Sequence, residues 1–169
     1  GIHFDDGELE TLAATGCHIA HCPTSNMRLA SGICRVPEML ELGINVGLGV
    51  DGSASNDTSD MLGEVRNAML LQRVTKGADA LTARDVFRMG TENGAKLLNF
   101  PMVGRLEEGW AADIALFDVH KLEYAGALSD PLGALIFSGY NHGTAYTIAN
   151  GEVVVEQGRL VGVDEEELV

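Results

Sequence analysis

The sequence predicts an α/β fold: consecutive β/α units of a parallel barrel followed by a small β module. Three observations carry that reading. Residues 44–50 form an apolar run with almost no polar face, the pattern of a strand covered on both sides in a parallel sheet. An earlier strand at residues 17–22 is joined to it through a loop and a short helix, so the elements alternate as in successive barrel units. Beyond Pro101 the pattern changes to short strands around Asn150-Gly151, the strongest two-residue hairpin signal.

Taken in order, residues 5–15 read as a helix with Leu9 and Leu12 on one face and Gly16 as its stop. The strand at 17–22 ends at Pro23. Residues 24–34 read as a long polar loop, and residues 36–42 as a short helix closed by Gly43. After the strand at 44–50 and its polar loop, Met61, Leu62, Val65, Ala68, Met69 and Gln72 fall on one helical face. Asp60, Glu64, Asn67 and Arg73 fall on the other, which predicts an amphipathic cover helix. Thr82 and Asp85 form a capping box with Leu81 and Val86 as its staple, opening a helix to about Met89. Thr91 is positioned to cap a further helix through Leu98. Residues 113–117, 145–149 and 152–156 read as strands, residues 131–137 as a short helix, and the acidic run at 164–167 as a helix start or a tail. The expected domains are therefore residues 1–101 and residues 102–169.

Composition narrows the function classes. With 11 Lys and Arg against 25 Asp and Glu, the chain of 169 residues carries a net charge of -14, which argues against a nucleic-acid or anionic membrane partner. Hydrophobic residues make up 46%, enough for a core. Three cysteines make no disulfide framework and fit a cytoplasmic location. No apolar stretch approaches the roughly 20 residues that cross a bilayer. Gly47-Leu48-Gly49 lacks the dinucleotide-binding arrangement, and neither a nucleophile elbow nor a Walker motif is present.

Asp51 is the leading candidate for chemistry. It follows the buried strand directly, where a parallel barrel keeps its catalytic rim, and a carboxylate there can bind metal or move protons. The bland alternative is a turn or cap residue beside Gly52. Cys17-His18-Ile19-Ala20-His21-Cys22 invites a zinc-cluster reading, but side chains alternate along a strand. Cys17 and His21 would point one way and His18 and Cys22 the other, so one tetrahedral ion cannot collect all four. His21, at the strand end, reads as a pocket wall or a core residue. Arg28, Ser53 and Asn56 are candidates for orienting a heterocycle, with Ser55 beside them. Asp57 and Thr58 read instead as caps of the next helix.

Four segments carry a family resemblance. They are His21-Cys22-Pro23-Thr24-Ser25-Asn26-Met27-Arg28-Leu29, the stretch from Val46 through Asp51 to Asp57, Gly104-Arg105-Leu106-Glu107-Glu108-Gly109-Trp110-Ala111-Ala112-Asp113, and Ile148-Ala149-Asn150-Gly151-Glu152-Val153-Val154. In that order they resemble the amidohydrolase superfamily, in its zinc-dependent nucleobase and triazine deaminase branch. Gly52-Ser53-Ala54-Ser55-Asn56-Asp57 and the segment from Tyr124 to Leu132 are most similar to the members acting on 8-oxoguanine.

The resemblance implies the C-terminal part of a (β/α)8 TIM-type barrel plus part of a small β-sandwich. It implies hydrolytic deamination of an aminated heterocycle, 8-oxoguanine first, with one divalent ion, zinc or alternatively iron. Asp51 is then both metal ligand and catalytic proton acceptor, and His21, Arg28, Ser53 and Asn56 contact substrate. The family's His-x-His pair, its further metal-site histidine, its proton-transferring glutamate and the histidine of the sixth strand have no counterpart in these residues. Aligned this way, Gly1 falls just past that sixth-strand histidine. The chain is accordingly expected to be inactive alone, and either to form a homo-oligomer or to need a missing N-terminal half. Guanine or cytosine deamination, triazine hydrolysis, and a non-catalytic binding or assembly module on the same fold are the alternatives.

Overall fold

Two parallel strands organise the first unit of the computed structural model, which describes residues 1–139 and 142–167. The chain divides into two units, Gly1–Pro101 and Met102–Val169. In the first unit, β1 (His18–His21) pairs with β2 (Asn45–Leu48), with His18 opposite Asn45 and His21 opposite Leu48. Because the pair is parallel, the residues that follow each strand emerge side by side at one end.

Helix α1 (Asp6–Thr15) opens on a capping box, in which Glu8 N–H donates to Asp5 Oδ1 and Asp5 N–H donates to Glu8 Oε2, both at 2.9 Å. It closes on Gly16 in the left-handed region at φ 66°. Helix α3 (Val36–Glu41) buries Val36 and Met39 completely. Helix α4 (Met61–Lys76) buries Leu62, Val65, Ala68, Met69 and Gln72, the face its periodicity predicts, although Met61 is 38% exposed. Helix α5 (Ala83–Met89) has the expected capping box between Thr82 and Asp85.

Helix α6 (Glu92–Leu97) lies against β2 unusually closely. A Cβ added to Gly47 would stand 3.2 Å from Gly94 Cα, so the contact depends on Gly47 having no side chain. Two asparagines lock the pair: Asn45 Nδ2 donates to Asn93 O, and Asn93 Nδ2 donates to Val46 O, each at 3.0 Å.

Several expectations are corrected here. Residues Pro23–Arg28 form a short helix, α2, where a polar loop was expected. Pro23 at its first position presets φ, and Thr24 N–H donates to Glu64 Oε2 at 3.1 Å, so the cap comes from a distant residue that local sequence cannot reveal. Glu64 belongs to no solvent face, being 1% exposed. The cap of α4 is Asp60, which accepts from Gly63 N–H at 3.0 Å, in place of Asp57 or Thr58. Thr91 makes no side-chain cap, because its hydroxyl donates back to Phe87 O at 2.9 Å.

The second unit is an antiparallel sheet in the order β3 (Ile114–Leu116), β4 (Tyr146–Ala149), β5 (Glu152–Glu156) and β6 (Arg159–Leu160). Asn150 and Gly151 turn β4 into β5 with φ of 48° and 85°, the positive pair that a type I′ turn needs. Gln157 and Gly158 repeat the device between β5 and β6 with φ of 50° and 79°. Helix α7 (Pro131–Phe137) occupies the span expected of it and is capped by Asp130, which accepts from Gly133 N–H. In the Tyr124 to Leu132 segment, Tyr124 ends a 3-10 turn (Leu122–Tyr124), residues 125–129 form turns, and Pro131 and Leu132 begin α7. The acidic run is a 3-10 turn at Glu165–Glu167. No helix among the described residues is long and apolar enough to cross a membrane.

Candidate active site

Asp51 stands just beyond β2 with φ 66°, a left-handed conformation that Asp tolerates better than most residues. Its carboxylate collects donors from both strand ends. Ser25 Oγ donates to Oδ2 at 2.6 Å and Ser55 Oγ donates to the same oxygen at 2.9 Å. Gly52 N–H donates to Oδ1 at 2.8 Å. The Ser25 hydroxyl first, then the Gly52 amide and the Ser55 hydroxyl, hold this carboxyl below the usual carboxylate range. It is therefore ionised near neutrality. Each carboxylate oxygen has two lone pairs, so Oδ2 is filled while Oδ1 keeps one position for a cation or a proton.

The loop after Asp51 is folded by its own side chains. Asn56, 1% exposed, donates through Nδ2 to Glu64 Oε1 at 2.8 Å. Its Oδ1 accepts from Thr58 N–H at 3.2 Å and Thr58 Oγ1 at 2.9 Å. Ser53 lies exposed on the turn. Arg28, from α2, forms an exposed ion pair with Asp57.

His21 is 2% exposed, and its Nε2 has no hydrogen-bond partner among the described residues. Burial, with a smaller contribution from the Gly1 ammonium, lowers its pKa to about 4, so the ring is neutral near pH 7. Cys22 follows it, and burial together with the charges of Asp51 and Glu64 pushes its thiol up, which keeps it protonated and unreactive. Cys17 Sγ contacts Thr15 Oγ1 at 3.3 Å, while His18 Nδ1 meets Asn45 Nδ2 at 2.7 Å. These two groups of the Cys–His run thus serve different neighbours.

As a metal donor, Asp51 fits in kind and falls short in number. An ionised carboxylate oxygen suits zinc, which ordinarily takes three protein ligands in a catalytic site. No cluster of three or more His, Cys, Asp or Glu able to hold an ion occurs among the described residues. An ion held at Asp51 would need further ligands beyond those grouped here.

Of the residues singled out in the sequence, Asp51, Ser53 and Asn56 share one loop and Arg28 reaches it through Asp57. Ser25, Thr24, Glu64 and Asn67 escaped sequence reasoning. For Ser25 a signal existed: parallel pairing of His21 with Leu48 sets the residues after β1 beside those after β2.

Comparison with known proteins bears on this geometry. The model of the amidohydrolase family matches residues 1–154. A 5-methylthioadenosine/S-adenosylhomocysteine deaminase of Pyrococcus abyssi is 41% identical over 170 residues, covering 100% of this chain and 40% of its own length. An 8-oxoguanine deaminase of Pseudomonas aeruginosa is 42% identical over 164 residues, covering 97% and 36%. Among solved structures, the zinc complex of atrazine chlorohydrolase TrzN from Arthrobacter aurescens superimposes with a TM-score of 0.94 at 36% identity, over 99% of this chain and 37% of that one. An adenosine deaminase of Xanthomonas campestris with bound zinc gives 0.93 at 32% identity, over 99% and 38%. The chain spans about two fifths of the length of the curated relatives it matches. Its mixed α/β fold is that of these neighbours.

Proposed function

The chain belongs to the amidohydrolase family, and on that premise we propose that it supplies the Asp51 corner of a metal-dependent hydrolase that deaminates an aminopurine. The observation that carries this is the Asp51 carboxylate, ionised, fastened on Oδ2 by Ser25 and Ser55, and open at one position of Oδ1. Residues 1–101 are then the last β/α units of a TIM-type barrel, and residues 102–169 are part of a β-sandwich. The remaining metal ligands and the proton-transferring glutamate come from elsewhere in the longer protein. Zinc is the proposed metal, since TrzN and the Xanthomonas enzyme both hold it.

When bound, such an ion lowers the pKa of a water ligand toward about 7 and so provides a nucleophile at neutral pH. This chain's residues do the rest of their part by position. Asp51 would hold the ion through Oδ1 and could take up a proton on Oδ2 once Ser55 Oγ turns to Gly52 O, 3.1 Å away, while Ser25 keeps the carboxylate from turning away. His21, neutral and buried at the end of β1, forms a wall of the pocket. Arg28 and Ser53 stand at the exposed edge, where a ring oxygen can be met, and Asn56 acts by shaping the loop that presents them. The reaction replaces a ring C–NH2 by C=O, consuming water and releasing ammonia.

The proposed first substrate is 8-oxoguanine, supported by the Gly52 to Asp57 match and the 42% identity to an enzyme of that name. An adenosine-type substrate is the second reading, favoured by relatives at 41% identity that span essentially this whole chain. The test is ammonia release by the full-length zinc-loaded protein from 8-oxoguanine, 5-methylthioadenosine, guanine, cytosine and an amino-triazine. Preference for 8-oxoguanine supports the narrow reading, preference for 5-methylthioadenosine replaces it, and no release from any of the five refutes deamination. A site built to hydrogen-bond one substituent discriminates strongly against rings that lack it, so the expected preference is large.

A further inference from the structure

The residues adjoining the two serines that hold Asp51 are both bonded to a single buried carboxylate. Glu64 lies in the first turns of α4 and is 1% exposed. Burying a carboxylate is costly unless its oxygens are satisfied, so its surroundings need an explanation. Glu64 Oε2 accepts from Thr24 N–H at 3.1 Å, and Thr24 directly precedes Ser25. Glu64 Oε1 accepts from Asn56 Nδ2 at 2.8 Å, and Asn56 directly follows Ser55. One turn further along α4, Asn67 Nδ2 donates to Thr24 Oγ1 at 2.9 Å and grips the same residue a second time. The N-terminal end of α4 is also the favourable end of its dipole for a negative charge.

From this arrangement we infer that Glu64 is a positioning residue for Asp51, acting through Ser25 on one side and Ser55 on the other. The inference rests on the reading of Asp51 given above and adds a residue to it that touches neither metal nor substrate. Its chemistry explains why an acid is needed. Both neighbours are N–H donors, and Asn56 cannot turn its amide over without giving up its two bonds from Thr58. A glutamine at 64 would aim an NH2 group at one of them. Because both serines would shift together, the loss falls on the orientation of Asp51, and small misplacements of a reacting group cost rate steeply.

The experiment uses the full-length protein with three variants: Glu64→Gln, the reciprocal pair Glu64→Gln with Asn56→Asp, and Gln72→Leu. The pair restores one acceptor facing one donor at each contact, with the charge moved to position 56. Gln72 is a buried control on the same helix, bonded to Cys34 O and remote in sequence from both serines. Expected for Glu64→Gln is a fall in kcat of about tenfold to a hundredfold with KM changed less than threefold. Faster amide hydrogen exchange should appear at residues 26, 29, 55 and 56, whose N–H groups close the turns of α2 and of the loop after Asp51. The pair should recover most of kcat and of the protection, and Gln72→Leu should lower the melting temperature without changing kcat or those four amides.

Normal kcat and normal protection in Glu64→Gln would overturn the inference. So would a folded reciprocal pair that recovers neither, and so would equal losses in Gln72→Leu, which would make the effect one of general stability. If Glu64→Gln does not fold, recovery of folding, kcat and protection in the pair supports the inference and its failure overturns it. Should the unsubstituted protein release no ammonia from any purine, the reading of Asp51 fails, and the exchange measurement alone decides the role of Glu64.

Discussion

Ser25 Oγ stands 2.6 Å from Asp51 Oδ2, joining a helix that follows β1 to the carboxylate that follows β2. Ser25 is 2% exposed, so the bond is made from the protein side of an otherwise exposed acid. Hydrogen bonds to a charged group contribute about 1.5–3 kcal/mol. In the full-length enzyme, Ser25→Ala should lower kcat about tenfold to a hundredfold with little change in KM. Ser55→Ala, removing a longer and more exposed bond to the same oxygen, should cost less, and the double variant should depart from additivity. Equal and strictly additive effects would show that the two hydroxyls do not share one task.

The contact between β2 and α6 gives a sharp pair of expectations. A Cβ at Gly47 meets backbone of Gly94 at 3.2 Å and 3.3 Å, and backbone cannot swing aside. Gly47→Ala should therefore destabilise the chain by about 1–3 kcal/mol. A Cβ at Gly94 meets nothing nearer than Met89 O at 3.7 Å, so Gly94→Ala should be neutral or stabilising by up to about 1 kcal/mol. Denaturant midpoints of the two variants check this, and the reverse order would disprove the proposed close packing.

His21 predicts how acid weakens the first unit. Its folded pKa of about 4 lies below the ordinary 6.5, so the unfolded state binds the extra proton between those values. Stability is fully present above pH 6.5 and falls as the pH drops toward about 4, by about 3 kcal/mol for the whole shift. Replacing the ring by a group that does not titrate, as in His21→Leu, should flatten the unfolding midpoint across that window. An unchanged pH dependence in the variant would mean that the ring titrates alike in the folded and unfolded chains.

Arg28 and Asp57 distinguish a pocket residue from a loop tie. An exposed ion pair contributes about 0–1 kcal/mol, so neither Arg28→Ala nor Asp57→Ala should alter stability much. If the guanidinium meets a ring oxygen, Arg28→Ala raises KM well beyond the effect of Asp57→Ala. Matching KM values in the two variants would confine Arg28 to holding Asp57.

Much of the fold around the candidate site lay open in the sequence wherever a feature is local. Asp51 is marked by the apolar run before it, the second unit's first hairpin by Asn150-Gly151, and α5 by Thr82 and Asp85, because strand burial, turn dihedrals and caps are decided within a few residues. What stayed hidden depends on distant partners. Helix α2 has no apolar period to announce it, and its cap is Glu64, forty positions away. Glu64 in turn looked like a solvent-facing member of α4, since helical periodicity cannot show what covers the end of a helix. Arg28 carries no sign of Asp57 for the same reason, and Gln157-Gly158 is a weaker turn signal than Asn-Gly, which left β6 unread.

The role of Asp51 is tested most directly by kcat/KM of full-length Asp51→Asn, with zinc content and thermal melting measured on the same preparation. The amide keeps the size of the side chain but removes the charge and the proton-accepting lone pair. A folded variant with reduced zinc and ammonia release lowered at least a hundredfold is the expected result. A folded variant with full zinc and turnover within a few-fold of the unsubstituted enzyme would contradict it.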